Sequence, residues 1–340
     1  MYRISLVTGD GIGPDLSEAA VAVLEAVADR CGVGFDVRRL PAGDAALRET
    51  GAALPEETLR QIRDSDACLK APVGESAADV IVRLRRTLDL YANVRPAKSY
   101  PGTGALREDI DMVIVRENTE DLYTGEEFEV GGGAVALRII TERASRRIAV
   151  RAFEMARRRN MMKVTCVHKS NVMRVTDGLF SRVCGQVASE YPDIIYENMY
   201  VDACAMNLIR QPEQFDVILT TNLFGDILSD ESSQVAGGLG MAPAANIGDD
   251  FALFEPVHGA AFDIAPRHIA NPSSFILSVR MMLEWLASTR GDSSCAEAAV
   301  VLESALAGLV ASGVGTRDIG GDLDTAGFAG AVSSKIRSGP

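Results

Sequence analysis

The sequence is poor in the residues on which several common kinds of site depend. It has three histidines and one tryptophan, and its six cysteines are scattered, with no Cys-x-x-Cys pair. Zinc knuckles and disulfide frameworks need clustered ligands, so we expect buried, reduced thiols. Basic residues are also in deficit, 34 against 47 acidic ones, for a formal net charge of −13. This balance argues against broad nucleic-acid binding, because phosphates require a basic surface.

Long apolar runs are lacking as well, and we expect no segment to span a bilayer. The chain begins MYRI and runs straight into a strand-like stretch, without the apolar region and cleavage site of a signal peptide. These features predict a cytoplasmic protein with no membrane partner. The 340 residues are 47% apolar and 24% charged, which is ordinary for a globular enzyme that buries a sizeable core.

Strand-like and helix-like segments alternate along the chain, which predicts an α/β architecture. We expect strands at 3–8, 66–71, 111–116, 163–168 and 216–221, helices at 14–28, 80–90, 145–159, 177–191, 273–288, 296–311 and 325–337, and a loop-rich stretch at 237–271. The triple glycine at 131–133 predicts a hairpin or protruding arm. No composition break indicates a linker between domains.

The segment Gly9-Asp10-Gly11-Ile12-Gly13 follows the first strand and opens a helix, as a dinucleotide fingerprint does. The G-x-G-x-x-G spacing fails, however, because Gly13 comes one residue early, and no acidic residue stands at the expected ribose position. We therefore predict that the fold is not a Rossmann fold. A tight turn that brings backbone near a ligand remains the alternative use of these glycines.

A pair of carboxylates follows the strand in LTTNLFGDILSD at 219–230. We predict that the strand ends at Asn222, that Gly225 allows a sharp turn, and that a helix follows Asp226. On that helix Asp226 and Asp230 lie on one face and repel each other. Mg²⁺ or Mn²⁺, which prefer oxygen ligands, would remove the repulsion. A solvated acidic helix start is an equally weighted interpretation.

Arginines form the other pattern that indicates chemistry. Arg83, Arg85 and Arg86 share a predicted helix, Arg95 lies in a strand-like stretch, and Arg116 ends an apolar strand. Guanidinium groups bind carboxylates in a bidentate manner, so several in one cleft would suit a di- or tricarboxylate. Exposure to solvent is the alternative for each helix arginine. Arg116 is expected at the carboxyl end of its strand, where open α/β sheets place ligands.

These pieces occur together in the β-decarboxylating dehydrogenases, which act on isocitrate, isopropylmalate, homoisocitrate and tartrate. The chain resembles this family in NLFGDILSDESSQVAGGLGM at 222–241, and further blocks follow the family order over nearly the whole chain. They are TGDGIGPD at 8–15, LDLYANVRPAKSYPG at 88–102, VIVRENTEDLY at 113–123, HKSNV at 168–172, VDACAMNL at 201–208 and EPVHGAAFDIA at 255–265. The blocks at 84–99 and 201–208 are most similar to homoisocitrate dehydrogenases.

The resemblance implies an isopropylmalate dehydrogenase-like fold, a large mixed sheet flanked by helices and divided into two domains. Residues 1–98 and 246–340 would form a discontinuous cofactor-side domain. Residues 99–245 would form the substrate, metal and dimerisation domain, with an arm near 125–140 at the interface of a homodimer.

The resemblance also implies roles for individual residues. Asp226 and Asp230 would hold Mg²⁺ or Mn²⁺ together with Asp202 of the second subunit. Lys169, also from across the dimer, would take up the substrate's hydroxyl proton, and Tyr123 would then protonate carbon as general acid. The implied substrate-binding residues are Arg85, Arg95, Arg116, Asn171, Ile81 and Val82.

For the cofactor, the resemblance implies binding by Ile12, His258, Gly259, Asp263, Ile264 and Asn271. A carboxylate at 263 accepts hydrogen bonds from ribose hydroxyls and repels a 2′-phosphate, and NADP-using relatives place Lys-Tyr at 263–264, so we predict NAD. The chain departs from the usual pattern at Ala260, Phe262, Pro266 and Arg317, which bears on cofactor affinity.

The helix at 78–86 is expected to select the substrate. It carries Ala78, Ile81 and Val82, and Val82 replaces an arginine that some homoisocitrate enzymes use, although Arg83 and Arg86 are close in sequence. We expect a small 2-hydroxy acid substrate, homoisocitrate first, 3-isopropylmalate second and a phosphonate-bearing malate third. The non-enzyme alternative is a regulatory subunit. It is disfavoured because such subunits lose members of the Tyr-Lys-Asp set, which is complete here.

Overall fold

The computed structural model describes residues 1–159 and 161–339. The strands are β1 (Tyr2–Val7), β2 (Phe35–Leu40), β3 (Ala67–Lys70), β4 (Ala92–Lys98), β5 (Asp111–Glu117), β6 (Glu127–Val130), β7 (Gly133–Ala136), β8 (Lys163–His168), β9 (Ile195–Tyr200), β10 (Val217–Thr220), β11 (Pro243–Ile247) and β12 (Ala252–Pro256). The helices are α1 (Gly13–Cys31), α2 (Asp44–Thr50), α3 (Glu56–Arg63), α4 (Ala77–Thr87), α5 (Glu142–Ala156), α6 (Thr176–Ala188), α7 (Val201–Arg210), α8 (Asn222–Val235), α9 (Ser273–Arg290), α10 (Ser293–Ala311) and α11 (Thr325–Ser338).

Ten of these strands form one mixed sheet in the order β2-β1-β3-β12-β11-β4-β5-β10-β8-β9. The strands towards both edges pair in parallel. In the middle, β11 is antiparallel to β12 and β4, and β4 is antiparallel to β5. This arrangement confirms the predicted α/β fold with a large mixed sheet, and it is not a doubly wound Rossmann sheet.

Alternate side chains of the central strands point to opposite faces of the sheet. On one face, Val94, Ala245 and Phe254 belong to an apolar core with α1, α9, α10 and α11 over one half of the sheet and α5 and α6 over the other. On the opposite face, α3 and α4 cover one half, and α7 and α8 cover the other. Arg95 and Glu255 follow Val94 and Phe254 directly and carry their charges on this second face.

The sequence-based bounds are wrong where short elements follow one another closely. The expected loop at 237–271 contains β11 and β12, five-residue strands joined by a tight turn in which Gly248 N donates to Phe251 O at 2.9 Å. The elements β2, α2, α3, β9 and α7 were not predicted. Each is short, and its pattern alone does not distinguish it from a loop.

The predicted turn at Gly225 is also wrong, because β10 ends at Thr220 and α8 begins at Asn222. Gly225 lies inside the first turn of the helix. A Cβ atom there would lie 2.5 Å from Cγ of Arg116. The glycine is therefore needed for close packing of the arginine against the helix, not for a change of chain direction.

The predicted arm is present as the hairpin of β6 and β7, paired from Glu127 with Ala136 to Val130 with Gly133. Its side chains are exposed throughout, and Phe128 and Val130 each expose 52% of their surface. The division into domains near residues 98 and 245 stays a prediction. Both ends of that division lie in the central strands of the sheet.

One expectation about apolar segments does not hold. The helix α10 is long and apolar enough to meet the composition criterion for a membrane span. It packs against α9, α1 and α11, and it buries Leu302 and Leu306 in the core. One face of the helix is therefore part of the core. All six cysteines are free and five are buried, as expected.

Candidate active site

The predicted arginines and carboxylates meet on the second face of the sheet. Arg95 on β4 lies between the two carboxylates, with its Nη1 3.3 Å from Asp226 Oδ1 and 3.4 Å from Asp230 Oδ1. Arg116, 1% exposed near the end of β5, pairs with Asp226, and its Nε donates to Asn222 Oδ1 at 2.9 Å. The placement of Arg116 at the carboxyl end of its strand is as predicted.

The electrostatics of the two carboxylates differ. Burial alone would raise the pKa of Asp226, but Arg116 and Arg95 outweigh that effect and hold it below its usual value. Burial raises the pKa of Asp230, and the charge of Asp226 adds to the rise. Nearby positive charge therefore stabilises the ionised form of both Asp226 and Asp230. This donor set fits a hard divalent cation, which prefers carboxylate oxygen.

Tyr123 lies in a single 3₁₀ turn, Leu122–Thr124, beside the same cluster. Its hydroxyl donates to Asp226 Oδ2 at 2.5 Å, and the Arg116 guanidinium lies 5.0 Å from the centre of its ring. Burial and the hydrogen bond to Asp226 raise the pKa of the phenol, so the hydroxyl keeps its proton at neutral pH. A protonated phenol in this position can act as a general acid.

Lys169 and Asp202 form a separate pair. Lys169 follows β8, Asp202 lies in the first turn of α7, and the ammonium group donates to the carboxylate. That hydrogen bond lowers the pKa of Asp202. In the part of the chain that the structure describes, no three Asp, Glu, His or Cys side chains converge as a metal site. Asp202 is therefore not a third ligand beside Asp226 and Asp230 within one chain. Asn171 is exposed near Lys169.

A buried polar network that the sequence analysis missed supports the arginines. Asn246 Oδ1 accepts from Arg85 Nε at 2.9 Å and from Asn93 Nδ2 at 3.1 Å, and Asn246 Nδ2 donates to Glu255 Oε1 at 2.8 Å. Glu255 also pairs with Lys70 at 2.8 Å. Against the effect of burial, Lys70 and Arg85 lower the pKa of Glu255 to about 2. The sequence signal that could have revealed this network is the occurrence of single polar residues, such as Asn246 and Glu255, within otherwise apolar strands.

The turn of α4 that precedes Arg85 combines apolar and basic side chains. Ile81 and Val82, one turn before Arg85, are half-buried. Arg83 turns to α3, where it pairs with Glu56 and its Nη1 donates to Leu54 O at 2.9 Å. Arg86 is exposed. Arg83 and Arg86 nevertheless line one cavity with Val82, so both arginines lie near it, as the sequence suggested.

A cavity of about 500 Å³ lies beside the loop that follows β12. Five residues predicted for the cofactor line it together, namely Ile12, His258, Gly259, Ile264 and Asn271. Asp263 is exposed next to Ile264 and is not part of the lining. Arg317 and Asp318, which were not predicted as binding residues, complete one wall, where Asn271 Nδ2 donates to Asp318 Oδ2 at 2.9 Å.

The glycines between β1 and α1 allow this loop to pack closely against the loop that borders the cavity. Ile12 N donates to Ala260 O at 2.9 Å, and a Cβ atom on Gly11 would lie 2.0 Å from the same oxygen. Asp10 accepts from the backbone N–H groups of Asp44 at 2.8 Å and Gly74 at 3.0 Å. The loop thus approaches other backbone segments closely, which explains glycines that lack the dinucleotide spacing.

The fold and the buried arginines are typical of an α/β protein that binds a small anion. The chain matches the isocitrate/isopropylmalate dehydrogenase family over residues 3–332 and belongs to it. It is 50% identical over 99% of both chains to the 3-isopropylmalate/3-methylmalate dehydrogenase of Methanocaldococcus jannaschii, and 42% identical to the homoisocitrate dehydrogenase of that organism, over 99% of this chain and 98% of the other. The crystal structure of isocitrate dehydrogenase from Methylococcus capsulatus superposes with a TM-score of 0.93 at 43% identity, over 99% of this chain and 100% of that one.

Membership of this family establishes the general activity. The chain is an NAD-dependent decarboxylating dehydrogenase that uses Mg²⁺ or Mn²⁺ and acts on a small hydroxy acid. The predicted reaction type and cofactors are confirmed, whereas the roles of individual residues stay predictions.

Proposed function

We propose that the chain oxidises and decarboxylates 3-isopropylmalate, with NAD as the hydride acceptor. The observation that carries this proposal is the apolar, half-buried surface of Ile81 and Val82 one turn from Arg85, while Arg83 is engaged by Glu56 and Leu54. An alkyl group gains from such a surface, whereas a distal carboxylate there would lose hydration without a fixed partner. Arg86 is exposed, where solvent and salt screen its charge.

The comparisons support the same choice over the first expectation, homoisocitrate. Isopropylmalate dehydrogenases of Methanocaldococcus jannaschii and Methanothermobacter thermautotrophicus are each 50% identical to the chain, against 42% for the homoisocitrate enzyme. A phosphonate-bearing malate is less well supported, because Arg83, one of the two cations that line a cavity with Val82, is already paired with Glu56, and the other, Arg86, is exposed.

The arginines would hold the malate part of the substrate. Arg85, Arg95 and Arg116 are buried within one cluster, so little of their side-chain freedom is lost when a carboxylate binds. Asp226, Asp230 and Asp202 of the partner subunit would hold the divalent ion. When bound, the ion would supply Lewis-acid stabilisation of negative charge on the substrate oxygen. Lys169 of the partner subunit would accept the hydroxyl proton, and Tyr123, kept protonated by its raised pKa, would deliver a proton to carbon.

A shared site requires a homodimer, and the surface supports one. Phe128 on the hairpin, Met206 and Ile209 on α7, and Ile227 on α8 expose between 52% and 65% of their surface. Met206, Ile209 and Ile227 lie on two helices that pack together, and exposed apolar side chains grouped in this way are typical of subunit interfaces. Asp202 lies on the same helix as Met206 and Ile209, so an interface there would also carry the third carboxylate.

The proposed cofactor and location follow the sequence analysis. Asp263, exposed beside the cavity lined by Ile264, would accept hydrogen bonds from ribose hydroxyls and repel a 2′-phosphate. The cytoplasmic location stays a prediction.

NAD reduction by the purified chain tests the substrate directly, with Mg²⁺ or Mn²⁺ and each of 3-isopropylmalate, homoisocitrate, isocitrate and tartrate. Because apolar pockets discriminate by about 1–3 kcal/mol, we expect kcat/KM for 3-isopropylmalate to exceed that for homoisocitrate roughly tenfold or more. A higher value for homoisocitrate would refute the substrate. No NADH with any of the four acids would favour the regulatory-subunit alternative.

A further inference from the structure

The central strands carry a second cleft, on the face of the sheet opposite the arginine–carboxylate cluster. Here α5 covers one half of the sheet and α9 and α10 cover the other, and between them a groove of about 760 Å³ remains over β4, β5 and β11. None of the residues assigned above to substrate, metal or cofactor lines this groove. We call it the back groove.

The floor of the back groove is apolar. Val94, Val113 and Phe254 form it from three different strands, and Met155 on α5 faces Trp285 on α9 across it. Trp285 is half-buried, and its ring centre lies 6.2 Å from that of Phe254. Apolar side chains from two separate helical layers thus border a space large enough for a small organic molecule.

The walls of the back groove are positively charged, although the chain carries a net charge of −13. The five basic residues of the lining are Lys98, Arg151, Arg158, Arg159 and Arg280, and the two acidic ones are Asp111 and Glu284. Three of the cations are neutralised by carboxylates, as Arg159 pairs with Asp111, Arg280 with Glu284, and Lys98 with Glu303.

Two cations of the lining are left without a carboxylate. The Arg151 guanidinium donates to the Tyr91 hydroxyl at 3.3 Å, and across residues 1–159 and 161–339 neither Arg151 nor Arg158 forms an ion pair. Arg151 is half-buried on α5, and Arg158 is exposed in the turn that directly follows this helix. An anion placed between them would gain charge-assisted hydrogen bonds, while the rest of the molecule would cover the apolar floor.

We propose that the back groove binds a small amphipathic monocarboxylate, an aliphatic chain or aromatic ring that carries one carboxylate. The carboxylate lies against Arg158 and Arg151, and the apolar body lies on Met155, Phe254 and Trp285. A cationic or uncharged ligand of the same shape gains nothing from the arginines. A purely ionic ligand gains nothing from the floor.

The single tryptophan of the chain makes this site directly measurable, since Trp285 is its only source of indole fluorescence. Octanoate, kept below its micelle concentration, is titrated into the purified full-length protein. We expect a saturable change of Trp285 emission with octanoate, and at least fivefold weaker binding of octan-1-ol and of acetate. Equal affinity for octan-1-ol would overturn the ionic part of the proposal, and an absence of saturation would overturn the whole.

Matched variants locate the response. Arg158→Gln is expected to weaken octanoate binding at least fivefold, and Arg158→Lys to recover part of the loss. The control Arg182→Gln removes an exposed arginine of α6, outside the back groove, and is expected to bind like the parent protein. NAD-linked turnover should be unchanged in all three variants, which shows that they fold. Unweakened binding to Arg158→Gln would contradict the site, because the carboxylate would then be bound elsewhere.

Discussion

Two regions of the active site differ in how completely one chain builds them. The cluster around Arg95, Arg116 and Asn246 is buried, and its polar atoms are bonded to one another. The surfaces around it, the Val82 face of α4 and the loop at Asp263, are half-exposed or exposed and form few bonds. The Lys169–Asp202 pair is similar, since Asp202 exposes 62% of its side chain.

This difference suggests that the buried cluster performs the reaction, while the more exposed surfaces select the substrate, the cofactor or the partner subunit. A buried network with satisfied hydrogen bonds holds one arrangement, and changing a member leaves others unpaired in a low dielectric. An exposed side chain with few partners can be replaced without disturbing its neighbours, and its contacts are available to a cofactor, a substrate tail or a second subunit. We therefore expect changes in the cluster to abolish a function, and changes around it to redirect one.

The largest effect is expected where both regions must combine. Asp226→Asn removes a cluster carboxylate and Lys169→Met removes the proposed base, and each should lower kcat by about 10²–10⁴-fold. If Lys169 acts across a dimer, mixing the two inactive variants restores one intact site in every mixed dimer. Activity should then recover to about one quarter of the parent value after random reassociation.

The proposal that one site combines residues of two subunits is contradicted if mixing the two variants restores no activity. A mixture of two preparations of Asp226→Asn is the control for the mixing procedure, and it should stay inactive. Recovery in the first mixture but not in the second assigns Lys169 and Asp226 of one site to different subunits. Persistent inactivity of the first mixture, with dimer exchange demonstrated by mass, would instead place both residues in the same chain's site.

The next largest effect is on stability, and it tests the rigidity of the cluster. Glu255→Gln leaves Lys70 and Arg85 without their buried carboxylate, so the free energy of unfolding at pH 7 should fall by about 3–5 kcal/mol. Chemical denaturation measures it. Glu25→Gln on the exposed face of α1 is the matched control and should change stability by less than about 0.5 kcal/mol.

The same ion pairs predict the direction in which stability changes with pH. The folded pKa of Glu255, about 2, lies below the value of about 4.3 for an unfolded chain, so the stability that it contributes is present above pH 4.3 and is lost as pH falls towards 2. The difference in free energy of unfolding between the parent protein and Glu255→Gln should therefore shrink as pH falls from about 4.3 towards 2. A difference that stays constant from pH 7 to pH 3 would contradict the proposed ion pairs.

Much of the fold could be predicted from the sequence, because long periodic segments specify their own structure. The helices at 273–288 and 325–337 were expected within a few residues of α9 and α11, and the strand at 163–168 agrees with β8. The pairing of β11 and β12 could not be predicted. Each strand has five residues, and its stability comes from neighbours distant in sequence, β4 and β3.

The site was predictable where a residue's chemistry is unusual for its position. Arg116 at the end of an apolar strand and the Asp226–Asp230 pair were identified, and the structure places them together. The direction of Arg83 was not predictable. The helical spacing of α4 does not determine whether the Arg83 side chain points towards Arg85 or towards α3. Its ion pair with Glu56 on α3 is a contact between elements that the spacing cannot reveal. Asn246 was missed for the same reason, as its role depends on four partners from other parts of the chain.

Outside the cluster, the loop beside the cofactor cavity should accept a change of selectivity. Replacing Asp263 with Lys and Ile264 with Tyr removes the repulsion of a 2′-phosphate and supplies a charged donor, worth about 1.5–3 kcal/mol. The ratio of kcat/KM for NADP to that for NAD should rise roughly ten- to hundredfold. Asp250→Lys makes the same charge change at another exposed position and should leave the ratio unaltered. An unchanged ratio in the double variant would refute the role of Asp263.

The smallest effect is expected at Val82. Val82→Arg would place a guanidinium one turn from Arg85, so a distal carboxylate would gain a partner and an isopropyl group would lose its apolar contact. The ratio of kcat/KM for homoisocitrate to that for 3-isopropylmalate should rise about tenfold, which corresponds to 1.4 kcal/mol. Thr289→Arg adds the same charge at the exposed end of α9 and should not change the ratio. An equal rise in both variants would mean that overall charge, rather than contact at Val82, selects the substrate.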